Sequence, residues 1–350
     1  MSNNLYFCKM ENHENILLGR LLQNARHLRG ISMDELCRLT DNCVTKQTIS
    51  NYERGRTMPG RAFLRIIQKA LNLPPSYFSV PQTELAEVEL RYRGDYTAKR
   101  YVQLKAGIQT AMSRYLRLET ALGLIVQYTN PIPDLVIRCH DDMEVASDHL
   151  RDVWHLGDSA LPYLCSQLEY RGIRIVEVSI DDDSFDGMSG IITHLNQPFI
   201  AVSEQATPER RRFTLLHELG HILLVIGDEA DDKEKVCNYF AGAMLFPRKA
   251  AVYELGNHRT TLSMQELISI KERYGISIAA IVHRAYDLGI IDRRYYDHLY
   301  DDCINHNRME TGWGEYRIPD GPQRYRQMQA RAVSEDIIVG ENENMEITIL

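Results

Sequence analysis

No stretch of this chain is apolar for long enough to span a bilayer, and its first residues carry no apolar run of export type, so neither anchor nor leader is expected. Cysteine is sparse and unpaired in pattern. The seven residues Cys8, Cys37, Cys43, Cys139, Cys165, Cys237 and Cys303 form no CxxC pair and are odd in number, which argues against a disulfide framework or a zinc ribbon. Reduced thiols of this kind set the expectation of a cytoplasmic location. No fixed-period repeat or low-complexity segment is apparent. An excess of positive charge is missing too: 40 Lys and Arg stand against 48 Asp and Glu, a net charge of -8 that does not suit an indiscriminate nucleic-acid binder.

What is there is unevenly distributed. In the first eighty residues Arg20, Arg26, Arg29, Arg38, Lys46, Arg54, Arg56, Arg61, Arg65 and Lys69 outweigh the acids, and Arg91 to Arg117 continue the basic trend. Acidic weight falls later, at Asp141-Asp142, Asp181 to Asp183, Asp228 to Glu234 and Asp301-Asp302. Opposite halves fit two joined modules better than one uniform domain. At 350 residues and 44% hydrophobic composition the chain can bury a substantial core in two or three units. Pro74-Pro75 and Pro81 mark the end of a first unit at 1–80, and Asn130-Pro131-Ile132-Pro133 opens a third at 131–300. Between them, 81–130 reads as a helical connector. Its stripe of Leu104, Ile108, Met112, Tyr115, Leu116, Leu118 and Leu122 is either the seam of a homodimer or a face packed on the third unit. Residues 301–350 form a C-terminal extension, with a helix expected over 325–337 and a short last strand.

His217-Glu218-Leu219-Gly220-His221 carries the sharpest chemistry. On a helix, the H-E-x-x-H spacing sets His217 and His221 one turn apart on one face, where both can hold one cation. Zinc in such a site lowers the pKa of water, and Glu218 is placed to take the proton as water attacks a carbonyl. Gly220 between them leaves room for another backbone, at some cost to the helix. Two histidines do not complete a catalytic site. The next helix, Lys233 to Leu245 before Pro247, offers Glu234 near its start, with Glu229 in the acidic loop as the competing donor; an acidic helix start is also an ordinary cap.

The run Arg211 to Leu224, followed by Glu234-Lys235-Val236-Cys237-Asn238-Tyr239-Phe240-Ala241 and Met244-Leu245-Phe246-Pro247, resembles the ImmA/IrrE family of metallopeptidases. The resemblance extends through Ser277 to Ile291 and covers about residues 170–300. It implies a zincin-like fold with a small mixed sheet, a Zn²⁺ cofactor, and Glu234 as the third ligand. Phe246 stands where the family has Met, a change of packing only. His283 and Arg284 fall on a later helix, where they either meet substrate or serve the scaffold.

Short helices with tight turns fill 17–78. Ser32 and Glu35 form a capping box ahead of Met33 to Leu39, Thr45 caps the following helix, and Gly55 closes it. Gln47 to Pro59, with the helix through Phe63 and Leu71, resembles the XRE (phage-repressor-like) helix-turn-helix family. That motif sets the start of its second helix in the major groove. Lys46, Gln47 and Asn51 then face base edges, Thr45 and Thr48 lie nearer the backbone, and Arg54, Arg56 and Arg61 meet phosphates. Ile49 and Tyr52 read as core.

The expected fold is α+β and predominantly helical: an all-α helix-turn-helix domain, then a zincin-like metallopeptidase domain. Strands over 186–192 and 197–202, around a turn at His194-Leu195-Asn196, supply an edge beside the metal helix that would pair with an extended substrate. The function expected is a regulator that binds a double-stranded DNA operator and cleaves a regulator protein, either a repressor or toxin–antitoxin partner or its own chain. In the alternative, the peptidase fold of a repressor or antitoxin-like factor is a non-catalytic sensor or a dimerisation domain.

Overall fold

The computed structural model describes residues 2–74, 77–78, 88–91, 97–180, 185–192, 195–228, 232–337 and 347–349. Four helices open the chain: α1 (Ser2–Leu28), α2 (Met33–Leu39), α3 (Lys46–Glu53) and α4 (Arg61–Ala70). The expected capping box forms, with Glu35 N–H donating to Ser32 Oγ and Ser32 N–H to the Glu35 carboxylate at 2.6 Å. Leu18, Leu21, Leu22, Ala25, Leu36, Ile49, Phe63, Ile67 and Leu71 make one small core. A buried fork from Arg26 to Glu53, at 2.7 and 2.8 Å, ties α1 to the end of α3. Gly19 is required where these helices cross, since a Cβ there would lie 2.2 Å from the Tyr52 carbonyl oxygen. Helix α1 begins well before the expected Leu17, because its first turns have no amphipathic period to announce them.

The connector is not wholly helical. A strand, β1 (Val88–Arg91), precedes α5 (Ala98–Leu122), which starts at the Thr97 cap and stops at Gly123 with φ +63°. Beyond it come β2 (Val136–Ile137), α6 (His140–Val153), α7 (Leu164–Tyr170), β3 (Arg174–Ile180), β4 (Gly187–Ile192) and β5 (Gln197–Ser203). Then follow α8 (Pro208–Leu223), β6 (Val225–Ile226), α9 (Lys233–Leu245), α10 (Arg248–Leu255), α11 (Met264–Tyr274), α12 (Ile278–Asp287) and α13 (Arg293–Leu299). A π turn (Tyr300–Ile304), α14 (Arg324–Ser334) and β7 (Ile347–Ile349) end the chain. Among the described residues no helix is long and apolar enough to cross a membrane.

Five strands form a mixed sheet in the order β1-β4-β5-β3-β7, with β1 and β4 antiparallel, β4 and β5 antiparallel, and β3 parallel to both β5 and β7. The two-residue period of a strand sorts its side chains to two layers. Phe199 and Ala201, with Val176, Val178, Met188 and Ile192, face Leu104, Ile108, Met112 and Leu116 of α5. Ile200 and Val202, with Ile173 and Ile175, face the other way, into the large core built by Leu215, Leu216, Leu219 and the helices beyond. The connector stripe is therefore spent on the chain's own sheet, and its remaining members Tyr115, Leu118 and Leu122 pack on Tyr325, Met328 and Ala332 of α14.

Two acids of the C-terminal extension reach back into the body. Asp320 accepts from the Leu164 and Cys165 amides at the start of α7 and pairs with buried Arg212. Glu310 accepts from Lys271 Nζ at 2.9 Å and from the Ala279 amide at 3.0 Å, holding the start of α12. On the other side of α5, Asn24 Nδ2 donates to Thr110 Oγ1 at 2.8 Å, so α1 rests on the same helix that covers the sheet.

Candidate metal centre and DNA-reading helix

Helix α8 starts at Thr207, whose side chain accepts from the Arg210 amide, with Pro208 in its first turn, a favourable entry. Arg212 anchors it from within, donating to the Gly275 carbonyl at 3.1 Å and the Leu161 carbonyl at 2.7 Å. His217 and His221 then fall one turn apart, with their ring centroids 4.8 Å from each other. Opposite them, α9 begins at Asp232, which accepts the Glu234 amide at 2.9 Å and leaves Glu234 in the first turn. Gly220 lets the two helices approach: a Cβ there would lie 3.2 Å from both Cys237 Sγ and Phe240 Cδ1.

The three donors of His217, His221 and Glu234 close on one point. The histidine Nε2 atoms are 3.1 Å apart, and the two Glu234 oxygens sit 3.2 Å from His217 Nε2 and 3.3 Å from His221 Nε2. Metal–ligand bonds of about 2.0–2.1 Å in a tetrahedral zinc site give donor–donor edges of about 3.3–3.4 Å. Spacing and donor chemistry both fit a single divalent cation, and among the described residues this trio is the one group arranged to hold one. Glu218, the next residue after His217, is 7% exposed and so sits out of bulk water. Glu229 and His194 lie outside the described residues.

Sequence reasoning missed how the rings are held. His217 Nδ1 is 2.8 Å from Asn238 Oδ1, and His221 Nδ1 is 3.4 Å from Cys237 Sγ. The signal was present, since Glu234, Cys237 and Asn238 stand at i, i+3 and i+4 and share one helical face. Arg284 resolves against substrate contact. It is 1% exposed, with Nη2 on Glu144 Oε1 at 2.6 Å and Nε on the Phe246 carbonyl at 3.0 Å, while the Tyr239 hydroxyl donates to the other Glu144 oxygen at 2.7 Å. His283 turns to Asp287 at 3.0 Å, and that hydrogen bond raises its pKa.

One expectation is corrected. The strand over 186–192 is not an open edge, because β1 pairs along its outer side from Val88↔Ile192 to Arg91↔Ser189. The cause lies in a four-residue strand within a segment read as helix. Along Ser189 to Ile192 an extended peptide would have to displace β1.

In the N-terminal unit, Thr45 caps α3, accepting from the Thr48 amide at 3.2 Å, with the two hydroxyls 2.9 Å apart. Lys46 and Gln47 are exposed at the start of α3, and Asn51 lies one turn on from Gln47, accepting its amide at 3.3 Å. Lys46 Nζ meets Asp34 at 2.6 Å, but both side chains are solvated, so the pair is weak and Lys46 can exchange it for another anion. Arg54, Arg56 and Arg61 are exposed beyond the helix end and at the start of α4, and Ile49 is fully buried.

A family model described as an IrrE N-terminal-like domain matches residues 168–286, and a helix-turn-helix model matches residues 22–78. No curated protein matches the chain.

Proposed function

We propose that this chain, which joins an XRE-type helix-turn-helix domain to an IrrE/ImmA-like domain of the metallopeptidase class, is a DNA-bound regulator that hydrolyses a peptide bond in a regulator protein. The substrate class is a repressor or toxin–antitoxin partner recognised at the same operator, or the chain itself. DNA reading belongs to 1–80 and hydrolysis to 131–300, with 81–130 joining them and 301–350 bracing the second unit. The observation that carries the reading is the closure of two imidazole nitrogens and one carboxylate within hydrogen-bond distance of each other.

His217, His221 and Glu234 would hold Zn²⁺, which when bound supplies a Lewis acid and lowers the pKa of water to near neutrality. Glu218 takes the proton from the attacking water and passes it to the departing amine. Its burial helps, since a carboxylate shielded from bulk water holds and releases one proton at a defined place. On DNA, Gln47 and Asn51 suit adenine and Lys46 suits guanine, while Thr45, Thr48, Arg54 and Arg56 contact the backbone.

Zinc content and cleavage of the regulator encoded beside this gene test the proposal in wild type and Glu218→Gln. Both proteins should carry one zinc, and cleavage should be lost in the variant; equal cleavage rejects Glu218 as the base. A second reading, a repressor or antitoxin-like factor with a non-catalytic sensor or dimerisation domain, gains support from β1 covering the β4 edge. A reporter on the protein's own promoter separates the two. Under the second reading Glu218→Gln leaves regulation unchanged while Asn51→Ala abolishes it.

A further inference from the structure

We infer that Asn238 and Cys237 are the positioning residues of the metal centre, fixing both histidines in the tautomer that turns Nε2 toward the ion. The inference rests on the zinc reading of His217, His221 and Glu234. An imidazole that binds a cation through Nε2 carries its remaining proton on Nδ1, and the partner of that N–H decides ring orientation and tautomer. Here the Nε2 atoms are the ones that converge with Glu234, at 3.2 and 3.3 Å. Each Nδ1 has its own acceptor on α9: Asn238 Oδ1 at 2.8 Å from His217 and Cys237 Sγ at 3.4 Å from His221.

The two acceptors differ in strength, and the difference assigns them unequal work. An amide oxygen at 2.8 Å is a full hydrogen-bond acceptor, whereas a thiol sulfur is a weak one. Asn238 is exposed and sits inside α9, where asparagine is a poor helix former, so neither burial nor helix propensity accounts for it there. Cys237 is fully buried against Gly220, where a larger residue would push α8 and α9 apart. Neither partner is a carboxylate; the acids of the centre are Glu234 on α9 and Glu218 on α8. One helix thereby delivers a ligand and both ring supports, and the separation of α8 from α9 sets the whole centre.

The test measures zinc affinity of the full chain by competition with a chromophoric chelator. The variants are Asn238→Ala, Asn238→Asp, Cys237→Ala and Cys237→Ser. Loss of an outer partner of a ligating histidine weakens binding by about 10–100-fold, so Asn238→Ala should fall in that range and Cys237→Ala near its lower end. Asn238→Asp, which keeps an acceptor oxygen, should recover wild-type affinity or better. In the zinc-loaded protein, the downfield Nδ1–H proton resonance of His217 should disappear or shift in Asn238→Ala and persist in Asn238→Asp. Zinc binding by Asn238→Ala within twofold of wild type, with that resonance unmoved, overturns the inference. A wild-type chain that binds no zinc would instead bring down the metal reading itself.

Discussion

Glu169 gives a prediction whose size follows from its surroundings. It lies in α7 with its side chain buried, and its carboxylate accepts the backbone N–H groups of Gln323 and Arg324 at 3.2 to 3.3 Å, at the start of α14. Burial pushes its pKa up from 4.5 to about 7, nearby Glu177 adds to the rise, and the two amides with Arg324 hold it back. A tenfold change in protonation is worth about 1.4 kcal/mol, so ionised Glu169 costs the folded state about 3 kcal/mol relative to the unfolded chain. The sign follows from proton uptake. Between 4.5 and about 7 the folded state binds more protons than the unfolded one, so stability from this group is full below 4.5 and lost as pH rises through about 7. Glu169→Gln stands in for the protonated acid and keeps an acceptor for α14. The stability difference between variant and wild type should be near zero at pH 4.5 and reach about 3 kcal/mol in favour of the variant at pH 8, or a gain of roughly 6–12 °C in melting temperature for a unit of this size. Urea unfolding of both proteins across that pH range measures it. A difference that stays constant with pH refutes the reasoning.

Further outcomes follow from the packing. Gly220→Ala places a methyl 3.2 Å from Cys237 Sγ and Phe240 Cδ1; overpacking should cost about 1–3 kcal/mol and weaken zinc binding, read by urea unfolding and chelator competition. Arg284→Met removes the buried guanidinium 2.6 Å from Glu144 and leaves that carboxylate only the Tyr239 hydroxyl and the half-exposed Arg248, 3.7 Å away; the loss should cost about 3 kcal/mol, the low end for a broken buried pair, in the same unfolding assay. On an operator found by binding-site selection, Asn51→Ala should lose about 1–3 kcal/mol and relax preference at one position. Arg54→Ala should weaken all sequences alike and lower the slope of log affinity against log salt by about one. An Arg54→Ala protein with altered base preference would contradict its assignment to phosphate.

Local grammar made much of this structure legible. Ser32 with Glu35, Thr45 with Thr48, and the one-turn interval between His217 and His221 are each set within four residues, so the sequence states them directly. Spacing gave Glu234 only a modest lead over Glu229, because a carboxylate at a helix start has an ordinary use as a cap, and the family likeness then favoured it. Long-range partners left no local mark. Asp320 caps α7 across more than 150 residues, and Glu310 reaches Lys271 across 39. Strand β1 escaped because four residues, Val-Glu-Leu-Arg, are too few for alternation to stand out between helical segments. Arg284 stayed open between substrate contact and the scaffold because its partner Glu144 lies 140 positions earlier.

The architecture bears on why a metallopeptidase-like domain is joined to a helix-turn-helix domain at all. Helix α5 touches both units: Thr110 meets Asn24 of α1, Gln103 and Lys99 press on the Gly30 turn, and the opposite face covers the sheet beneath α8. Helices α3 and α8 are thus linked through packed elements, α3 on α1, α1 on α5, and α5 on the sheet. A protein bound to adjacent DNA would meet the metal centre at an effective concentration set by geometry, in the millimolar range for short separations, whatever its level in the cell. Weak recognition of the scissile segment then suffices, provided the operator selects the substrate. Cleavage of the regulator should on this ground rise steeply when a DNA fragment carries both binding sites. Varying the spacing between them by half a helical turn should suppress it, since the packed link cannot swing freely to the other face of the duplex.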